Sequence, residues 1–564
     1  MPNAATGGAV YDILFKNGTI VDGSGSPAFA GDLAVQGDRL AALERIERAG
    51  GIPEERARRV FDIFGCYICP GFIDLHTHSD FPLLLDGRAL SAVYQGVCTQ
   101  VIGNCGFSPA PLRRPADMRR SVFSFREPYT PAWKDFPAFL EHLAELSMGT
   151  NAAALLGHGA LKNWAMGAAA ESSGPEGAKS GAWEKVLRRE LERAMDAGAF
   201  GLSSGLEYAP GSSTDEEEMG MLAGVVASRG GLYATHVRNR DEDYKRGFEE
   251  AFRSAEKSGV RLQISHAVPK YGAPAGAAEW VLGRLQEAAE RFDTAADVIP
   301  YEWGPTSLSA VLPKRLLALS PERIAEELAS KEVLEEVMNQ KRPFWLQFRD
   351  KRWDLIRLYY SSMYPQLRGK SALEIGGYFS LDPFEGLLKI LRDEGPGLFS
   401  VLMMGKIKRG EDLELLIGDP RTAVISDAMS LATAGPLADF FWSPGCYGWV
   451  PRFLSRFAGI GSEGALGRGK GSAEDSALLP IEEAVRKITG LPAARLGISD
   501  RGLLREGLKA DVTVVDPGSL RERATMEEPR RYAEGFPFVL CNGQLLIEKG
   551  RYTGALPGRL LRRV

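Results

Sequence analysis

The sequence predicts an α/β protein: a (β/α)8, TIM-like barrel carrying a small β-sandwich built from both chain ends and an inserted subdomain between strands 7 and 8. Three observations predict it. Eight short apolar runs follow one another at 72–77, 99–105, 151–158, 199–206, 231–237, 261–267, 293–301 and 422–429, the number a closed barrel of parallel strands needs. Helix-like stretches such as Trp183 to Ala197 and Asp243 to Ser258, with apolar residues recurring at three and four, separate most of the runs, as parallel pairing requires. Residues able to ligate a metal close several of the runs.

From the N-terminus, residues 1–66 read as the first part of the sandwich: Tyr11 to Ile46 holds alternating strand-like segments with turn glycines at Gly18, Gly23 and Gly37. The barrel reads as 67–500. Its first strand, Gly71 to Leu75, enters after Pro70 and ends in His76 and His78. Residues two apart on a strand share a face, so both imidazoles can address one ion. The second run ends in Cys105, the fifth in His236, the sixth in His266 and the eighth in Asp427. Only six histidines occur in 564 residues, and four stand at these ends. Each residue alone has a plainer reading as a buried histidine, a packed thiol or a helix-capping carboxylate. Six together strain that reading, because the strand ends of such a barrel converge on one mouth.

Tyr301 to Thr422 is too long for one loop and helix and predicts the insert, about residues 305–415. It interleaves Trp345, Phe348, Trp353, Tyr359, Tyr360 and Tyr364 with Arg349, Lys351, Arg352 and Arg357. With so weak a net charge the mixture reads as a packed cover over a substrate rather than a nucleic-acid surface. Residues 501–564 complete the sandwich, with a hairpin signal at Asn542-Gly543.

Composition narrows the function. A formal charge of −5 spread along the chain argues against nucleic acid and acidic membranes as partners. No apolar stretch approaches the ~20 residues of a membrane span, and Met1 to Tyr11 lacks a basic segment followed by an apolar core, so a cytoplasmic location is expected. Six cysteines make no disulfide framework; Cys66 and Cys69 have zinc or redox spacing but no second pair, and read as packed thiols.

Imidazole and thiolate suit zinc. If Cys105 lies between two subsites, it can share one ion with His236 and His266 and approach a second near His76, His78 and Asp427. Zinc polarises a carbonyl and brings the pKa of water to about 7, while Asp427 can take the water's proton and pass it to a leaving nitrogen. Amide hydrolysis follows.

Residues 71–80 (GFIDLHTHSD), 103–106 (GNCG), 157–167 (GHGALKNWAMG), 201–208 (GLSSGLEY), 235–238 (THVR), 264–266 (ISH), 297–301 (DVIPY) and 425–427 (ISD) resemble, in the same order, the N-acyl-D-amino-acid deacylase (D-aminoacylase) branch of the amidohydrolase superfamily. The likeness runs over roughly residues 11 to 564. It implies one tightly bound Zn2+ at Cys105, His236 and His266, a second, weaker site at His76, His78 and Asp427, and Asp427 as acid and base. It implies a small-molecule linear amide as substrate, Tyr208 and Tyr301 beside it, and leaves an oligomer open. Cys105 stands where the hydantoinase branch has a carboxylated lysine, and His158 falls at a strand end in a supporting role.

Two departures qualify the likeness. The branch shows a His-Pro-Arg segment after the last strand, its arginine meeting the substrate carboxylate; here Ser443-Pro444-Gly445 stands ahead of Gly448, Pro451 and Arg452. A lysine two residues beyond the second barrel histidine is also absent, since Ala267 and Val268 follow His266, leaving Lys270 as the substitute. Both losses point to a less acidic or bulkier amide, with small N-acetyl-D-amino acids as poor substrates. Two alternatives stand beside this reading. One is a cyclic-amide hydrolase of the dihydropyrimidinase or hydantoinase sort, which wants a bridging lysine where only Lys162 lies nearby. The other is a catalytically silent scaffold, which would retain little metal.

Overall fold

In a computed structural model of the chain, the described residues are 10–122, 125–126, 128–177, 182–317, 319–461 and 477–563. Residues 1–9, most of the Met1 to Tyr11 stretch, lie outside them. No helix among the described residues is long and apolar enough to cross a membrane.

Five strands come first: β1 (Ile13–Ile20), β2 (Phe29–Gln36), β3 (Arg39–Arg45), β4 (Val60–Asp62) and β5 (Tyr67–Pro70). Alternation along β1 sends Ile13 and Phe15 into one core and Leu14 into another with Ala34 and Ile52. The chain then enters the barrel through β6 (Phe72–Asp74), β7 (Val97–Ile102), β8 (Asn151–Gly157), β9 (Gly201–Gly205), β10 (Leu232–His236), β11 (Arg261–Ile264) and β12 (Thr294–Val298). It leaves for the insert, where β13 (Trp303–Ser307), β14 (Ile356–Tyr360) and β15 (Leu402–Lys406) form an antiparallel sheet in the order β13-β15-β14. β16 (Thr422–Val424) returns to the barrel beside β12.

The eight barrel strands pair in parallel in the order expected from the apolar runs. They read as mostly apolar runs because both faces are covered; all seven residues of β8 are buried. Ile73, Val101, Leu155, Phe200, Ala234 and Ile425 are among the side chains of the barrel interior, and Ala493, Leu496 and Leu561 from the C-terminal region pack against them. The seam between β6 and β16 is sewn above the strands: Asp427 N–H donates to the His76 carbonyl at 3.0 Å, and His78 N–H to the Ala428 carbonyl at 2.8 Å.

The insert has its own apolar core, which buries Trp345 and Phe348. After the barrel come β17 (Val512–Val515), β18 (Phe538–Cys541), β19 (Gln544–Glu548) and β20 (Arg551–Tyr552). They join the N-terminal strands in one nine-stranded sheet, ordered β20-β19-β18-β17-β5-β1-β2-β3 with β4 also on β1. The sandwich is this single sheet folded back on itself: the rings of Phe15 on β1 and Phe538 on β18 lie 5.5 Å apart although β5 and β17 separate them. Cys66 and Cys69 are free thiols, Cys69 buried on the central strand β5.

Candidate active site

His236 ends β10, while Cys105, His266 and Asp427 lie two or three residues past the last paired residue of their strands. Pairing stops earlier than the apolar runs suggest because the backbone turns left-handed at Cys105 (φ 52°), His266 (φ 37°) and Asp427 (φ 49°). Non-glycine residues adopt that conformation at a cost, and such strain collects at functional sites. The Cys105 turn also needs Gly205 below it, where a Cβ would come within 2.1 Å of the Cys105 carbonyl oxygen.

The turns bring all six side chains together. Cys105 Sγ lies 3.3 Å from His76 Nε2, 3.4 Å from His266 Nε2 and 3.7 Å from His236 Nδ1. Asp427 Oδ1 lies 3.4 Å from His76 Nε2 and 3.1 Å from His78 Nε2. One ligand atom from each of His76, His78, Cys105 and Asp427 lies within 4.8 Å of the others, and the same holds for Cys105, His236 and His266. Tetrahedral zinc with ordinary Zn–S and Zn–N bonds would hold sulfur and nitrogen ~3.5 Å apart and nitrogen and oxygen ~3.4 Å apart. The donor set and its spacing fit that ion.

Electrostatics agree with the geometry. Burial above all pushes His76 down to about 3 and His236 to about 4, and holds His266 well below the usual imidazole range. Imidazoles that stay neutral are ready ligands. Burial raises Asp427, yet His78 and His76 outweigh it and hold the carboxylate at about 2. Burial, then Asp427, pushes the Cys105 thiol far up, so a thiolate there calls for a cation beside it.

Four surrounding residues were not singled out in the sequence. Glu207 accepts from His236 Nε2 at 2.7 Å and from Lys270, fixing the ring so that Nδ1 faces Cys105. Burial works against the Glu207 charge, but Lys270, His236 and Arg240 hold it ionised. Asp297 accepts from the His266 backbone N–H at 2.6 Å, and burial pushes its carboxyl up to about 7. Arg240 donates to the His266 carbonyl at 2.6 Å, and Lys408 to the Tyr301 carbonyl at 3.0 Å. Burial, with Arg240 nearby, lowers Lys408 to about 7. Glu207, one residue before Tyr208, and Asp297, which opens the DVIPY motif, had a local signal.

Of the remaining candidates, Tyr208 packs its ring 4.8 Å from His236 and 5.7 Å from Phe107. Lys270 is committed to Glu207. Tyr301 lines a cavity of about 360 Å³ that reaches Asp427 and is walled by Ile299, Trp303, Met404 and Met526. His158 is buried and bonded to Glu218 at 2.7 Å, and Lys162 reaches the same carboxylate and Thr214, so neither joins the centre.

The model of the amidohydrolase family matches residues 59–331 and 443–547. The D-aminoacylase of Alcaligenes xylosoxydans xylosoxydans is 30% identical over 98% of this chain and 98% of its own length. The crystal structure of N-acyl-D-glutamate deacylase from Bordetella bronchiseptica, complexed with zinc and a phosphonate mimic of the tetrahedral intermediate, superposes with a TM-score of 0.75. It is 26% identical and covers 98% of this chain and 99% of that one. A D-aminoacylase with a binuclear centre, in which one metal activates and the second attenuates, gives a TM-score of 0.72 at 27% identity, covering 98% of this chain and all of the other.

Proposed function

Because this chain belongs to the amidohydrolase family, in its D-aminoacylase branch, we propose that it is a zinc-dependent hydrolase of a linear amide, removing the acyl group from an N-acyl amino acid or a derivative of one. The observation that carries this reading is the Cys105 sulfur set 3.3 to 3.7 Å from three imidazole nitrogens, with Asp427 alongside. Cys105, His236 and His266 would hold the tighter ion, and His76, His78 and Asp427, with Cys105 again in reach, a weaker one. When bound, zinc supplies an acidified water and polarises the scissile carbonyl.

The chain's own residues do the rest. Asp427 stays ionised beside His76 and His78 and is the base that takes the attacking water's proton, then the acid that delivers it to the departing nitrogen. Its side chain is 21% exposed, so substrate can reach it, whereas the histidines are sealed. Tyr208, beside His236, is placed to donate to the carbonyl oxygen, and burial keeps its phenol protonated. Glu207 and Lys270 orient His236. The cavity beyond Asp427 takes one half of the substrate, and its apolar walls favour a bulky group.

The test pairs metal analysis of the purified protein with a screen of N-acyl amino acids of both hands, their amides and esters, and hydantoins, with and without added zinc. Release of a free amine from the linear amides, by protein retaining about one zinc or more per chain, is the expected result. Hydrolysis of hydantoins alone would overturn the linear-amide reading, and a protein without metal or turnover would be the silent scaffold.

A further inference from the structure

The cavity beside Asp427 contains a carboxylate that the proposed chemistry does not use. Glu522 arrives from the loop after β17 and projects between Tyr301 and Arg452. Tyr301 donates its hydroxyl to Glu522 Oε1 at 2.7 Å, and Arg452 Nη1 donates to Glu522 Oε2 at 3.2 Å. Arg452 spends its Nε on the Pro300 carbonyl at 2.9 Å, and its guanidinium lies 4.5 Å over the Tyr301 ring. Among the described residues lining the cavity, Arg452 is the one cation, set against Asp427 and Glu522. A phenol and a guanidinium converging on one point form the donor pair that grips a carboxylate. Here both already grip one.

Space has been cleared for that arrangement. A Cβ on Gly448 would stand 2.8 Å from Glu522 Cγ, and one on Gly445 would stand 3.3 Å from the Tyr301 ring. The Glu522 side chain is only 16% exposed, and burial together with its charge keeps the Tyr301 phenol protonated as a fixed donor. A substrate acid entering this cavity would find both donors already engaged by Glu522. A neutral carboxamide needs neither donor as a counter-charge.

We propose that Glu522 is an internal carboxylate seated where a substrate's acid group would bind, and that it selects substrates whose amine half ends in an uncharged carboxamide over those ending in a free carboxylate. The inference rests on the amide-hydrolase reading for the identity of the substrate, but binding tests it separately. Titration calorimetry and steady-state kinetics would compare N-acetyl-D-methionine with N-acetyl-D-methioninamide on the wild-type protein and on Glu522→Gln. The wild type should favour the amide about tenfold or more in Kd. Glu522→Gln frees Arg452 and should erase or invert that preference by raising affinity for the acid. Equal or tighter binding of the acid by the wild type overturns the proposal whether or not the variant folds, as does an unchanged preference in a folded variant or no binding of either compound. If the binding preference shifts as stated and zinc-loaded protein hydrolyses none of the linear amides of the wider screen, the hydrolase reading fails and the role of Glu522 stands.

Discussion

The backbone N–H of Asp427 donates to the carbonyl of His76 at 3.0 Å, so one of the bonds that close the barrel joins two residues whose side chains meet at the centre. Side-chain placement there is tied to the seam itself. A loosened seam would move the carboxylate away from the imidazoles.

Cys105 is shared by both groups of candidate ligands. Cys105→Ser should therefore strip the protein of essentially all its zinc, while His78→Ala should keep about one ion per chain, as plasma mass spectrometry of dialysed samples would show. A serine variant that keeps its full metal content would refute the shared role.

Asp427→Asn keeps the shape of the side chain but removes its basicity. Turnover should fall on the order of 10²- to 10⁴-fold with little change in tightly held zinc. Full activity in this variant, read as kcat on the best substrate of the screen, would mean the proton passes elsewhere.

Glu207→Gln should weaken zinc binding about 10- to 100-fold, since the amide no longer fixes the His236 ring as a carboxylate does. Competition with a chelator measures it. Unchanged affinity would make Glu207 merely a partner for Lys270.

Burial moves protons in opposite directions within the metal-free centre. His76 and His236 cost stability as pH falls below 6.5, because the unfolded imidazoles take up protons that the folded ones refuse until about 3 and 4. Asp297 does the reverse: its folded value of about 7 lies above the unfolded one, so it contributes stability as pH falls from about 7 to 4. Asp297→Asn removes that opposing contribution, and its Tm in chelator should drop relative to wild type over that interval by the equivalent of a few kcal/mol. Parallel Tm curves would show that Asp297 does not gain a proton on folding.

Away from the centre, Arg501 and Asp511 are buried together, and Asp511 also accepts from the Asn542 backbone N–H at 2.6 Å. Asp511→Ala removes the buried partner of Arg501 and leaves it the half-exposed Asp500 at 3.2 Å, and should cost up to about 3–5 kcal/mol. A clear fall in Tm is expected, with kcat of the surviving folded protein unchanged.

The sequence made the barrel legible because parallel strands covered on both faces are written as mostly apolar runs, as Ala152 to Leu156 of β8 are. The ligands were legible because they close those runs. The strand ends were overshot where Cys105, His266 and Asp427 turn left-handed, a conformation that non-glycine residues do not announce. Glu207 could have been suspected from its neighbour Tyr208. Glu522 could not: it lies in the charged stretch Arg521-Glu522-Arg523 and reaches Tyr301 from 221 positions away, so only tertiary folding reveals it.

The pairing of β5 with β1 on one side and β17 on the other has a consequence for biosynthesis. As the polypeptide leaves the ribosome, β5 emerges before the barrel and waits with one edge uncovered until Val512–Val515 is translated. Completion of this sheet is thereby coupled to translation of β17, and until then the uncovered edge of β5 is open to wrong pairing.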